Sequence, residues 1–407
     1  MAWNPFRRRE KRATTVTQSS PDFLQVLGLD QWMHSAAGVH VTVDTALGVP
    51  AISAAVNFLS NTIAGLPIHV YERGRGGRRR INGPVATILH DAINPEWTSY
   101  RWRRYAAMCA LTSGRGLTWV ERIDGGRVRA LWPLDPGRVT VEMIGGRRRY
   151  RYRRPEGGET IYDGADVLDW QYMEHQDQIK ARSPIVQNKD VIGAAIAATI
   201  YGSKFMQAGG VPPFAVTGNF QSGDAMRRAA DDLQQAVKAA AKEDRQALVL
   251  PAGLEIKPIG GDPEKAQLVE LQRFMVEQIA RIYALPPTFL QDLTHGTYSN
   301  TEQQDLHLVK HTLRRWIEDI EQELNLKLFG AGARRYCEFN VDALLRGDFK
   351  TRMEGHALAI QHGIETPNEA RARENAPDMD GGDVLLVQGA MMPLSQAGRT
   401  STDGGEE

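Results

Sequence analysis

The stretch 262–329 constrains this chain more than any other, because it reads as a helix, a hard break, a polar loop and a much longer helix. In the first arm Leu268, Leu271, Met275, Ile279 and Ile282 recur in steps of three and four, which puts one apolar face on a helix. Pro263 suits the first helical turn, where a missing N–H costs nothing. Pro286 and Pro287 end the run, since each removes a donor and restricts the residue before it. After the loop TFLQDLTHGTY, Ser299 and Glu302 have the spacing of a capping box. Leu306, Val309, Leu313, Trp316, Ile320 and Leu324 then form a stripe over roughly 30 residues, about 45 Å of helix. A helix of that length predicts an elongated subunit that buries its stripes against neighbours, with the burial partners unspecified.

A chain of 407 residues has room for two or three folding units, and an apolar fraction of 42% is ordinary for a globular protein. No run is apolar for long enough to span a membrane, and the start MAWNPFRRREKR lacks the apolar core of a signal peptide. Cys109 and Cys337 are too few for a disulfide framework and read as reduced, buried thiols. Charge balances at 49 basic and 49 acidic residues, which excludes a generally basic nucleic-acid coat. Its distribution is uneven: basic clusters lie at 7–12, 73–80 and 147–154, and the end is acidic.

Residues 1–45 read as a flexible arm and 46–64 as a helix, followed by a strand at 66–71 and a hairpin with a basic tip. A helical region spans 85–112. From 116 to 170 at least four β runs alternate with DGG, DPG, IGG and PEGG turns, the pattern of a meander. Within it Arg147, Arg149, Arg151 and Arg153 share one strand face. That face suits either phosphate or the solvated edge of a sheet, where arginines discourage aggregation. Residues 183–210 read as one long helix, capped by Ser183, whose small residues at 193–198 admit another backbone closely. A strand–helix–strand–strand module at 211–261 separates it from the helix of the opening stretch. One strand and a helical pair follow residue 329, the second helix opening on the capping box of Thr366 and Glu369. The end, 393–407, reads as a disordered acidic tail.

Few residues suggest catalysis. The GSK at 202–204 lacks the spacing of a phosphate-binding loop. His307 and His311 stand four apart, but neither the glutamate nor the third ligand of a zinc helix is evident. No carboxylate pair stands out as nuclease ligands. The sequence therefore indicates a protein that is not an enzyme and takes no cofactor or metal.

The pieces ALWPLDPGRV, RIYALPPTFLQDLTHGTYSNTEQQ, TLRRWIEDIEQELNLKLF, LLRGDFKTR and GIETPNEARARENAPDMDGGD occur together in this order across most of 45–385. Jointly they resemble the portal proteins of HK97-type tailed phages, prophages and gene transfer agents. Arg315 departs from the pattern, standing where that family often has proline.

The resemblance implies a mixed α+β portal fold and a ring of about twelve copies at one capsid vertex, closed by repeated contacts between neighbours. It implies a channel for duplex DNA, bound without regard to sequence, during packaging and ejection, with terminase, the major capsid protein and a head–tail adaptor as partners. Assembly would occur in the host cytoplasm and the product would reside in the virion, with no membrane involved. By the same likeness 46–182 forms a β-rich wing, 183–210 and 262–284 stem helices, and 211–261 a small α/β clip. Residues 285–298 form the tunnel loop, 299–345 the long helix and return strand, and 346–392 a helical crown. The loop residues Thr294, His295, Gly296, Thr297, Tyr298, Ser299 and Asn300 would approach the DNA, and Arg147, Arg149, Arg151 and Arg153 would meet capsid or packaged DNA. The competing readings are another head–tail connector or a non-catalytic DNA-binding ring.

Overall fold

The computed structural model describes residues 34–75, 77–207, 214–218, 222–242, 254–258, 265–290, 307–341, 349–374 and 376–386. The chain forms two compact units, Met1–Asn340 and Val341–Glu407. Among the described residues no helix is long and apolar enough to cross a membrane.

The expected arm is already packed from His34 onward. Ser35 and Val41 are buried, and the Ala36 N–H donates to Asp190 Oδ1 at 2.8 Å. The helix expected at 46–64 is two helices, α1 (Val43–Leu47) and α2 (Pro50–Gly65). Pro50 lacks the donor needed to continue α1 and holds Val49 extended at φ −80°, ψ 118°. The face of Val56, Leu59 and Ile63 is buried as its spacing predicts. Strands β1 (Ile68–Gly74) and β2 (Gly77–Arg80) form the basic hairpin. The helical region at 85–112 is likewise divided, into α3 (Pro84–His90) and α4 (Ser99–Ser113). Arg103 of α4 is buried, and its guanidinium donates to Ala64 O at 2.8 Å and Leu89 O at 2.9 Å. It thereby ties the C-terminal ends of α2 and α3 to α4.

Six strands follow: β3 (Arg115–Ile123), β4 (Arg127–Leu134), β5 (Val139–Ile144), β6 (Arg147–Arg153), β7 (Glu159–Asp163) and β8 (Val167–Gln171). They are not one meander. β5, β6 and β7 meander, but β8 returns to pair with β3, which gives two three-stranded sheets ordered β4-β3-β8 and β5-β6-β7. The corners explain the split. Asp135 and Asp163 each accept the N–H two residues on, at 2.9 and 3.0 Å, and such side-chain turns redirect the chain between sheets. Leu117, Leu134, Tyr150 and Val167 fill the space between the sheets, with Trp119 stacked on Tyr162 at 5.0 Å. β6 is the central strand of its sheet, so the reading of its arginines as a sheet edge is corrected. On its far side β3 lies so close to α4 that a Cβ on Gly116 would stand 2.2 Å from Ala106 O.

Ser183 caps its helix as expected, accepting the Val186 N–H at 3.2 Å. The helix is nevertheless divided into α5 (Pro184–Gln187) and α6 (Lys189–Gln207). Asn188 leaves the helical conformation (φ −108°, ψ 25°), and its side chain donates back to Pro184 O at 2.8 Å. The small residue Gly193 admits a side chain, that of Ser35, whose Oγ would lie 2.1 Å from a Cβ there. Of the next module, β9 (Phe214–Gly218), α7 (Gly223–Lys242) and β10 (Leu254–Pro258) are described, and β9 pairs with β10 antiparallel. The second strand of the expected strand–helix–strand–strand module, QALVLP at 246–251, falls outside the described residues.

Helix α8 (Lys265–Ile282) packs along α6. The chain then turns at Ala284, at φ 52°, into a 3-10 turn, Pro287–Leu290. The long helix is described from His307, whereas Ser299, Glu302 and Leu306 of its expected start are not. It is not uniformly α: π-helical turns Leu308–Leu313 and Asn325–Phe329 flank α9 (Arg314–Leu324). A π turn carries an extra residue and shifts the buried face, so Leu308 is buried where Val309 was expected. Trp316, Ile320 and Leu324 are buried within the same chain, where α9 packs against β8 and β11 (Arg335–Phe339). The expectation that this stripe is buried against neighbours is therefore overturned for these residues. β11 pairs with β1, joining residue 339 to residue 68.

In the second unit, α10 (Phe349–Gln361) and α11 (Pro367–Arg373) form the expected helical pair. The capping box closes in both directions, at 3.2 and 2.9 Å. Glu365 is buried between them and meets His356 Nδ1 at 3.0 Å and Arg373 Nε at 3.1 Å. The acidic tail at 393–407 lies outside the described residues.

The contact at Gly116 yields a prediction. Gly116→Ala forces α4 away from β3 and lowers stability by about 1–3 kcal/mol in chemical denaturation. An unchanged midpoint would contradict the packing described.

Candidate nucleic-acid and partner interfaces

The seven loop residues Thr294–Asn300 lie outside the described residues, but the elements leading into them are firmly seated. Tyr283 Oη donates to Leu111 O at 3.3 Å, Tyr172 Oη to Ile282 O at 2.6 Å, and Thr312 Oγ1 to Ala284 O at 2.5 Å. Leu290 and Leu308 on either side of the stretch are buried. Holding Ala284 at positive φ costs about 1–2 kcal/mol, which these contacts offset. Arg315, the departure from the portal pattern, lies over the Tyr172 and Trp316 rings, each 5.2 Å from its centroid, and donates to Tyr172 O. A proline there would supply neither contact.

Arg147, Arg149, Arg151 and Arg153 of β6 do share a face, and that face is a ladder of alternating charge. Arg149 pairs with Asp163 of β7. Arg151 reaches both oxygens of Glu142 on β5 at 3.1 Å and Glu159 on β7 at 3.3 Å, while Arg153 stands 4.0 Å from Glu159. The Arg151 guanidinium holds the Glu142 carboxyl below its ordinary value, and the Ala165 N–H, with help from Arg149, does the same for Asp163. Exposed pairs of this kind contribute little to stability, because solvent screens them. Even so, a phosphate would have to displace carboxylates already in place. Arg147, and Arg148 beside it, form no ion pair among the described residues.

Sequence reasoning missed the buried polar centre. Asp169 of β8 accepts from Tyr150 Oη at 2.8 Å and Gln171 Nε2 at 3.0 Å, and it stands 2.9 Å from Arg115 Nε as a close charge pair. Its N–H donates to Glu323 Oε1 at 3.1 Å, which joins β3, β6, β8 and α9 in one cluster. The one signal was an aspartate inside the apolar run VLDW. Burial lifts Glu323 from the ordinary 4.5 to about 7, with the Asp169 and Asp319 charges adding to the effect and Lys327 opposing it. Glu321, which accepts the Phe339 N–H at 2.6 Å, is raised by burial to about 7 as well. Nearby, Arg122 donates to Asp166 Oδ1, Gly126 O and Lys327 O at 2.7, 3.0 and 2.6 Å, stapling two turns to the helix end.

The His307 and His311 rings lie 4.5 Å apart, and no group of three metal-binding side chains occurs among the described residues. Cys109 and Cys337 are buried free thiols, and burial pushes Cys109 up to about 12. The paired helices α6 and α8 leave Ile200, Tyr201 and Met206 on one, and Val269, Leu271 and Phe274 on the other, exposed in the single chain.

Comparison with known proteins agrees with this architecture. The family model for phage portal proteins matches residues 50–375. The chain is 31% identical over 373 residues to the probable portal protein of Streptomyces phage phiC31, covering 86% of this chain and 79% of that one. It is 26% identical over 360 residues to the portal protein of Enterobacteria phage HK97, covering 86% and 84%. Its fold is similar to an HK97-family phage portal protein from Corynebacterium diphtheriae, with a TM-score of 0.56, 19% identity, and 75% and 98% of the two chains covered. It is also similar to a chain from the neck of a native gene transfer agent particle computed with C12 symmetry, with a TM-score of 0.54, 17% identity, and 90% and 97% covered. The chain belongs to the phage portal protein family, and within it to the HK97 type.

The raised carboxyls set a pH dependence. Between the unfolded value near 4.5 and the folded value near 7, the folded chain holds more protons, so their contribution to stability is lost as pH rises through 7. Glu323→Gln keeps an acceptor for the Asp169 N–H and removes the charge. Its melting temperature should fall less between pH 5 and pH 8 than that of the wild type. Parallel curves would contradict the burial of a titrating Glu323.

Proposed function

We propose that copies of this chain close into a ring of about twelve at one capsid vertex, and that duplex DNA passes through its axis during packaging and ejection. The observation that carries this reading is the row of large apolar side chains left exposed on α6 and α8. Large apolar side chains grouped at a surface, as Tyr201 and Phe274 are with their neighbours, mark a face that a partner covers, and in a cyclic assembly the next copy does so. In this arrangement 46–182 form the wing, 183–210 and 262–284 the stem, 211–261 the clip facing terminase or head-completion proteins, and 346–392 the crown. The protein works as a structural conduit and docking platform for the major capsid protein and the head–tail adaptor, with nucleotide hydrolysis left to a separate terminase. It is assembled in the host cytoplasm and stays in the virion.

Residues Thr294, His295, Gly296, Thr297, Tyr298, Ser299 and Asn300 approach the DNA as the tunnel loop, continuing from 285. Every lasting cation–phosphate contact adds to affinity, so a channel that must let DNA slide is better lined by small polar groups. This segment contains no Lys or Arg. The face of Arg147, Arg149, Arg151 and Arg153 meets the capsid, a reading favoured over packaged DNA by the carboxylates already paired with three of the four.

Two outcomes test this. Tyr201→Asp with Phe274→Asp should leave the melting temperature of the single chain unchanged and remove large assemblies in sedimentation velocity; assemblies that persist would exclude the stem helices as the contact. Thr294→Asp with His295→Asp should reduce the DNA retained per assembled particle. Wild-type retention would remove the loop from the channel.

A further inference from the structure

Two concave surfaces adjoin on the first unit, and none of the exposed apolar residues of α6 and α8 lines either. The first, about 860 Å³, is floored by Val70, Ile81, Val85, Val128 and Leu328, between β1, α3 and the tip of the β3–β4 hairpin. The second, about 720 Å³, lies between that tip, the start of β6 and the corner at 164–166. Gly126 lines both, so they form one groove crossing the hairpin tip. The π turn Asn325–Phe329 runs along it, with Leu326 and Lys327 in one half and Leu328 and Phe329 in the other.

The groove is strongly cationic although the chain as a whole is neutral. Four arginines and one glutamate line the first half, and three arginines, a lysine and two aspartates the second. The carboxylates are already engaged. Glu72 is shared by Arg79 and Arg335, each at 3.4 Å, Asp166 is held by Arg122, and Asp163 by Arg149. Among the described residues this leaves Arg127 and Arg334 in the first half, and Arg147 and Arg148 in the second, without a carboxylate partner. Large apolar side chains are exposed beside them: Ile123 at the hairpin tip, Leu326 on the π turn, and Ile144 directly opposite Arg147 in the β5–β6 register.

We propose that this groove docks an acidic, amphipathic segment of a partner protein, with carboxylates on the unpaired arginines and apolar side chains on the floor. The inference rests on the reading that this basic face meets the capsid, and it adds the chemistry that the partner must present. A phosphate backbone would use the cations but gain nothing from an apolar floor and three exposed apolar flanks. An amphipathic chain uses both, and burial of its apolar groups adds to the charge pairing.

The test uses the full-length protein and fluorescence anisotropy with three labelled probes. These are a synthetic peptide alternating glutamate with leucine, its counterpart with serine at every leucine, and a DNA duplex of equal charge. The glutamate–leucine peptide should bind most tightly. Arg127→Glu with Arg334→Glu, and separately Arg147→Glu, should each weaken it by about tenfold, through faster dissociation and lost steering. These arginines are exposed and unpaired, so both variants should melt with the wild type. The proposal is overturned if the wild type does not bind this peptide, if the reversals leave binding unchanged, or if the serine peptide or the duplex binds equally well. Binding is read on the isolated protein, so a failure here is distinct from a failure of ring formation or of capsid attachment.

Discussion

The carboxylate of Asp169 is the constraint on which the first unit depends. A buried charge is tolerated only when partners surround it, and here they arrive from four elements: Arg115 from β3, Tyr150 from β6, Gln171 from β8 itself, and Glu323 of α9 on the backbone N–H. Breaking such a buried pair typically costs about 3–5 kcal/mol, a large part of a domain's stability. The cluster thus fixes how the two small sheets meet, and how the long helix lies across them. Neither sheet has enough strands to settle that geometry through its own ladder.

This anchoring bears on the conduit. The long helix is buried in its own chain through Trp316, Ile320 and Leu324, so along these residues it is part of that chain's core and not a strut waiting for a neighbour. The turn at Ala284 is pinned by Thr312, and the helix before it by Tyr172 and Tyr283. The stretch proposed to touch DNA is therefore hung between two seated ends. The surfaces left exposed, on α6 and α8 and around the β3–β4 tip, differ in chemistry. One is apolar and suits a copy of the same chain; the other mixes cations with apolar groups and suits a different partner.

Local signals in the sequence were read well wherever one residue type determines backbone behaviour. The caps at Ser183 and Thr366, the DGG and DPG turns and the basic hairpin all appear where their residues stand. Splits were missed at Gly48–Val49 and at Asn188, because apolar periodicity continued across them and concealed the break. The return of β8 to β3 and of β11 to β1 was not legible, since a strand's pattern states which face is buried but not which strand is beside it. The same limit applied to β6. Alternation placed its arginines on one face, but only the neighbouring strands supply Glu142, Asp163 and Glu159. The π turns left no sequence mark beyond a stripe that drifts by one residue at Leu308. Kinship to portal proteins was legible because it rests on short motifs in fixed order, which do not depend on knowing the pairing.

The central claim, a closed ring with an open axis, is tested most directly by electron microscopy of the purified full-length protein. The account predicts top views with about twelve-fold rotational symmetry and a central hole wide enough for duplex DNA. A preparation that stays monomeric or dimeric at every concentration, or forms rings with a closed centre, would contradict it.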